Sequence, residues 1–124
     1  MPIHFHIDPR AGLVRLTMTG EVSAAEFMAY RRELVAHPSY SPVLPRVLDA
    51  RAVTLAPDTP EIQQLANAML WRGVQLLARR AIIADRDALY GMFRMLETMV
   101  DLEGGEPVRV FRTEEEALQW CGAA

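Results

Sequence analysis

Odd and even positions of residues 3–8 divide cleanly. Ile3, Phe5 and Ile7 are apolar, while His4, His6 and Asp8 are polar. A period of two marks a strand with one buried face, and it predicts a first strand over Ile3–Asp8. Pro9-Arg10-Ala11-Gly12 carries the residues of a tight turn, Pro presetting one dihedral and Gly supplying the permissive position. Alternation resumes over Leu13–Gly20, where Val14, Leu16 and Met18 are the buried set against Leu13, Arg15 and Thr17. So short a link predicts an antiparallel hairpin.

Beyond the hairpin the period becomes helical. Ser23-Ala-Ala-Glu26 is a capping box. Ala24, Phe27, Met28, Leu34 and Val35 form the inward face of the helix it opens, and Arg31, Arg32 and Glu33 are solvated. His37-Pro38 ends it, since the residue before Pro avoids helical dihedrals. Ser39–Pro45 is a stiff loop. Arg46–Ala50 is short and apolar, as a central parallel strand should be.

In Asp58-Thr59-Pro60-Glu61, Thr59 takes the N-cap and Pro60 the first helical position. Ile62, Leu65, Ala66, Met69, Leu70 and Leu77 trace one stripe, weakened near its end by Gly73. Arg80–Asp85 is the fourth strand, and Asp85 or Asp87 caps the third helix. Leu89, Met92, Phe93, Leu96, Met99 and Val100 turn inward on that helix, which Gly104-Gly105 stops. Val108–Phe111 is the fifth strand. Thr113-Glu-Glu-Glu116 is a second capping box, and its helix carries Ala117, Leu118 and Cys121 inward, with Trp120 at the core's edge.

The order β-β-α-β-α-β-α-β-α predicts an α/β fold in one domain over residues 1–124. Its sheet is five-stranded and mixed: the first strand is antiparallel in a hairpin and the rest are parallel. Right-handed crossovers should place helices on both faces.

Composition narrows the function classes. The 124 residues are 51% hydrophobic and 23% charged, ordinary for a soluble domain. Net charge is −3, so no basic field attracts nucleic acid or anionic lipid. All 13 basic residues are arginine, as GC-rich coding yields, which points to a bacterial source. The single cysteine, Cys121, forms no internal disulfide and fits a reducing cytosol. The N-terminus carries no secretion-signal pattern, and no apolar run approaches the roughly 20 residues of a membrane span. The expectation is a cytoplasmic protein.

Three stretches carry a family likeness: Val47-Leu-Asp-Ala-Arg51, Ala88–Glu97 and Val108–Trp120. With the element order, they make the chain resemble the SpoIIAA-like fold of STAS domains and anti-sigma-factor antagonists. The likeness is closest to STAS/SEC14-like bacterial proteins of unassigned function. In antagonists of that family an Asp-Ser pair after the third strand is phosphorylated on the Ser. The resemblance assigns that place to Asp58-Thr59 and so implies Thr59 as a phosphorylation site, with Pro60-Glu61 where the family has a small-residue turn.

Candidate chemistry is sparse. Ligands of open α/β sheets bind beyond the carboxyl ends of the parallel strands. That rim should carry Asp49, Arg51, Asp85, Arg86 and Arg112, beside Gly20 and Glu21, and suits an organic anion or a lipid head. His4 and His6 share a face of the first strand, but no third metal ligand has obvious proximity. Cys121 has no activating charge. No Walker loop, Rossmann fingerprint, nucleophile elbow or zinc-finger spacing appears, so no catalytic residue, cofactor or metal is assigned.

Trp71, Tyr90 and Met95 lie off the main stripes, and exposed aromatic and Met side chains are enriched at interfaces. The reading is a noncatalytic regulatory module acting through protein contacts there, a second copy of itself included. A small hydrophobic or anionic ligand at the rim is the alternative, and a phospho-regulated switch a third.

Overall fold

In the computed structural model the described residues are 3–69, 78–102 and 107–122. Five strands lie in the order β1 (Ile3–Asp8), β2 (Leu13–Gly20), β3 (Arg46–Val53), β4 (Arg80–Ile83) and β5 (Val108–Phe111). The first pair is antiparallel and every other pair parallel. Four helices, α1 (Ala24–Ala36), α2 (Thr59–Met69), α3 (Asp87–Leu102) and α4 (Glu114–Trp120), alternate with the strands after the hairpin. The predicted architecture is the observed one.

Local chemistry explains the elements. Gly12 takes φ +66° in the hairpin turn and donates its N–H to the Asp8 carbonyl at 2.9 Å, a conformation that carries little steric cost without a Cβ. Ser23 caps α1 by accepting the Glu26 N–H at 3.2 Å, and Thr113 caps α4 by accepting that of Glu116 at 3.3 Å. His37 closes α1 in an extended conformation, as the following Pro requires.

The sheet divides two cores. Alternate residues Val14, Leu16 and Met18 of β2, Leu48 and Ala50 of β3, and Val108 and Val110 of β5 meet α1, α2 and α3. On the other face Leu13, Val47, Ala81 and Ile83 pack against Ala117 of α4, with Phe111, Leu118, Trp120 and Cys121 around them. Among the described residues α4 is the only helix on that face. It contacts β3, β4 and β5, while His4, His6 and Thr17 stand exposed beyond it.

Several expectations need correction. β3 runs on to Val53 and β4 stops at Ile83. Leu13 is buried along with the alternate set, because α4's core covers its face. In α1, Arg31 is 2% exposed and Val35 38%. Phe27, Tyr30, Arg31 and Leu34 fall at i, i+3, i+4 and i+7, one stripe of a helix. Position therefore puts Arg31 inside and Val35 outside, against residue type. Asp58, not Thr59, caps α2: its Oδ1 accepts the Glu61 N–H at 2.9 Å. Thr59 begins the helix, exposed. Leu70, Trp71, Gly73, Leu77, Gly104 and Gly105 lie outside the described residues.

Candidate functional site

The carboxyl-end rim is assembled from β3, β4, the start of α3 and the end of β5. Its charges largely bind one another. Asp49 Oδ1 accepts from Arg51 Nε at 2.9 Å and from the Arg51 backbone N–H at 3.0 Å, and Oδ2 accepts from Nη2 at 2.8 Å. That guanidinium fork holds the Asp49 carboxyl below the usual carboxylate range. Arg51 is raised in return, and Glu114 and Asp85 add to its stabilisation. Glu114 itself pairs with Arg15 at 2.6 Å.

Arg112 pairs with Asp87 at 2.9 Å and lies 4.3 Å from the Tyr90 ring centroid. Asp85 and Arg86 are exposed in the link between β4 and α3. The five predicted rim residues thus lie along one end of the sheet, and three of them are engaged in short ion pairs. An ionised, guanidinium-clamped Asp49 is poorly suited to general-base work, which calls for a pKa nearer neutrality.

The predicted contact residues are placed differently. Tyr90 is half-buried beneath Arg112, and Met95 is half-buried against the main core. Five positions apart, they point about 140° away from each other around α3. Trp71 lies outside the described residues. Among the described residues no group of three His, Cys, Asp or Glu side chains is placed to hold a metal ion. Among the described residues no helix is long and apolar enough to cross a membrane. Burial pushes the Cys121 thiol up, and its Sγ donates to the Arg46 carbonyl at 3.8 Å.

The opposite end of the sheet holds an unexpected cluster. Arg46 and Arg80 open β3 and β4 and are register partners on those neighbouring strands. Each is almost fully buried, as is Arg31 of α1. All three guanidiniums act on the Tyr30 hydroxyl, which burial nevertheless pushes to a raised pKa. That hydroxyl lies beside the Arg46 guanidinium, and neither it nor Arg46 Nη1 meets a partner at full hydrogen-bond geometry among the described residues. Arg46 Nη2 donates to the Tyr40 hydroxyl at 3.3 Å, and Arg80 lies 5.8 Å from the Phe27 ring centroid.

Sequence inspection misses this cluster because a charged residue at the edge of a strand reads as solvated. Register and helix packing, not the residues themselves, bring the three together.

Two cavities adjoin these features. One, of about 20 Å³, lies in the main core near the carboxyl ends, among Met18, Leu48, Val53, Pro57, Leu65 and Phe93. It has room for about one water, but its lining is apolar and suits a dry void. The other is a groove of about 420 Å³ along α1, lined by Met28, Arg31, Arg32, Val35 and Ala36.

One of the solved structures that match does so nearly end to end. It is an uncharacterised protein of the DUF3478 family from Shewanella loihica PV-4, described as having a SpoIIAA-like fold. The superposition has a TM-score of 0.63 over 96% of this chain and 93% of that one, at 15% sequence identity. The fold is SpoIIAA-like. No protein-family model and no curated protein matches the sequence. The SpoIIAA-like frame accounts for the hairpin start, the parallel strands that follow and the α4 ending. At 15% identity it shows the fold alone.

Proposed function

We propose that this SpoIIAA-like chain is a noncatalytic binding module for an organic anion with an apolar body, seated in the groove along α1. The groove carries the reading. Its volume falls within the range of small-molecule sites. Met28, Val35 and Ala36 offer apolar contact, and the exposed Arg32 offers its guanidinium to an acid head. The site thus moves from the rim, whose charges are largely spent on each other, to the helix face at the other side of the main core.

The test begins with protein purified without added ligand and examined by native mass spectrometry. Titration with decanoate and with decanol follows. A co-purifying acid, or decanoate binding more tightly than decanol, supports the reading. Ala36→Trp, at an exposed groove position, should then abolish binding while leaving the melting temperature unchanged. Equal binding of acid and alcohol, or none of either, defeats it.

One observation favours a regulatory role as a second reading. Thr59 is exposed, and among the described residues its hydroxyl is in no hydrogen bond, the cap being Asp58. A phosphate there would sit at a helix N-terminus, where the dipole tolerates negative charge. Phosphopeptide mapping of protein from its own cells tests this; unmodified Thr59 under all growth conditions removes it.

A further inference from the structure

The two edges of the sheet differ. At β5 the Glu97 carboxylate of α3 occupies the outer side: Oε2 accepts the Val110 N–H at 3.1 Å, and Arg94 and Arg109 flank Oε1 at 3.0 and 3.7 Å. At β1, among the described residues, no strand pairs with the outer side. Proteins blunt open edges with Lys, Pro, bulges or inward charges. The register between β1 and β2 is regular throughout, and residues 3–7 contain neither Pro nor a basic side chain other than His.

Those residues read Ile-His-Phe-His-Ile, the same in both directions. A two-fold axis, the symmetry of most homodimers, pairs a strand antiparallel with its own copy, and in this run it sets like residue against like. An axis through Phe5 sets Phe5 against Phe5 of a second copy, Ile3 against Ile7 and His4 against His6. Phe5 and Ile7 are half-buried on the face toward α1, so pairing extends the apolar layer across the axis. His4 and His6 are exposed on the opposite face, where Thr17 and Arg15 are their β2 neighbours.

We propose that β1 is a self-association edge: two copies join their first strands antiparallel, in register about Phe5, into one ten-stranded sheet. Main-chain hydrogen bonds supply the attraction, and the mirrored side chains fix the register. One short strand from each copy buries less than the 1,200 Å² or so of a standard interface, so the dimer is weak and concentration-dependent.

Cysteine cross-linking reads the register. In a Cys121→Ser background, His4→Cys and His6→Cys are prepared separately and then mixed. Opposed residues of an antiparallel pair have Cα atoms about 4.5–5.5 Å apart, within disulfide reach. Copies carrying the same single cysteine place their thiols on opposite sides of the axis, beyond reach. The mixture should therefore oxidise to a dimer of doubled mass, while neither variant alone does so. Cross-linking of either variant alone as readily as the mixture overturns the proposal, and so does a mixture that stays monomeric.

The unaltered chain gives a second measurement that needs no variant to fold. Hydrogen exchange of residues 3–8 should slow as concentration rises toward about 1 mM, while that of β5 stays constant. Exchange of β1 that ignores concentration overturns the proposal equally.

Discussion

The carboxylate of Glu97 accepts the backbone N–H of Val110 at 3.1 Å. Glu97 is 7% exposed, so a side chain of α3 completes the hydrogen bonding of an edge strand in a largely dry place. Leaving a buried donor unsatisfied costs more than the bond itself contributes. Glu97→Ala should lower stability by about 1–3 kcal/mol in urea denaturation. Glu97→Gln keeps a carbonyl acceptor and should lose less. Equal losses would show that charge, not the N–H, is what matters.

Asp49 makes stability depend on pH. Its carboxyl is held below the usual range by Arg51, so its contribution is full above the unfolded-state value and fades as pH falls through the folded-state value. Asp49→Asn should be less stable than the parent at neutral pH, and the two should converge in acid. The pair is partly exposed, so salt should shrink the difference. A deficit that persists in strong acid contradicts the assignment.

The cap of α2 distinguishes neighbouring residues. Asp58→Ala removes the acceptor for the Glu61 N–H and should cost about 1 kcal/mol. Thr59→Ala should stay within about 0.5 kcal/mol of the parent. Thermal denaturation of both variants decides it, and a reversed order would return the cap to Thr59.

Arg46 is a buried cation that donates to the Tyr40 hydroxyl through Nη2 and faces the Tyr30 hydroxyl, with Nη1 unsatisfied among the described residues. Replacing buried charge by an apolar side chain of similar length is often neutral or stabilising. Arg46→Met should keep or raise the melting temperature. Arg46→Ala should lose about 2 kcal/mol or more, through a cavity and the lost packing of the stem. A severe loss in Arg46→Met would mean that the guanidinium holds a counter-charge.

What could be read from the chain and what could not follow a physical line. Period-two alternation in β1 and the Ser23 and Thr113 boxes are local patterns, and the strands and caps they imply are the observed ones. Asp49 beside Arg51 was legible too, two residues apart on one strand face. The burial of Arg31 was not, because residue type outweighed its place in the stripe of Phe27 and Leu34. The meeting of Arg46 with Arg80 depends on the register of strands 34 positions apart, which no local period encodes. The groove along α1 is lined at i, i+3, i+4, i+7 and i+8 of one helix, a helical spacing hidden by the two arginines within it, which read as solvated charge.

The sheet's second face gives α4 a weight beyond its seven residues. Its Ala117 closes over Leu13, Val47, Ala81 and Ile83, and Arg79 Nη1 reaches the Trp120 carbonyl at 2.5 Å. A chain cut short at Arg112 would bare a greasy strip across the middle strands while leaving the three-helix side intact. Such a product should still form its secondary structure, yet clump, bind hydrophobic dyes and draw chaperones, so α4 works as the solubility seal of this face.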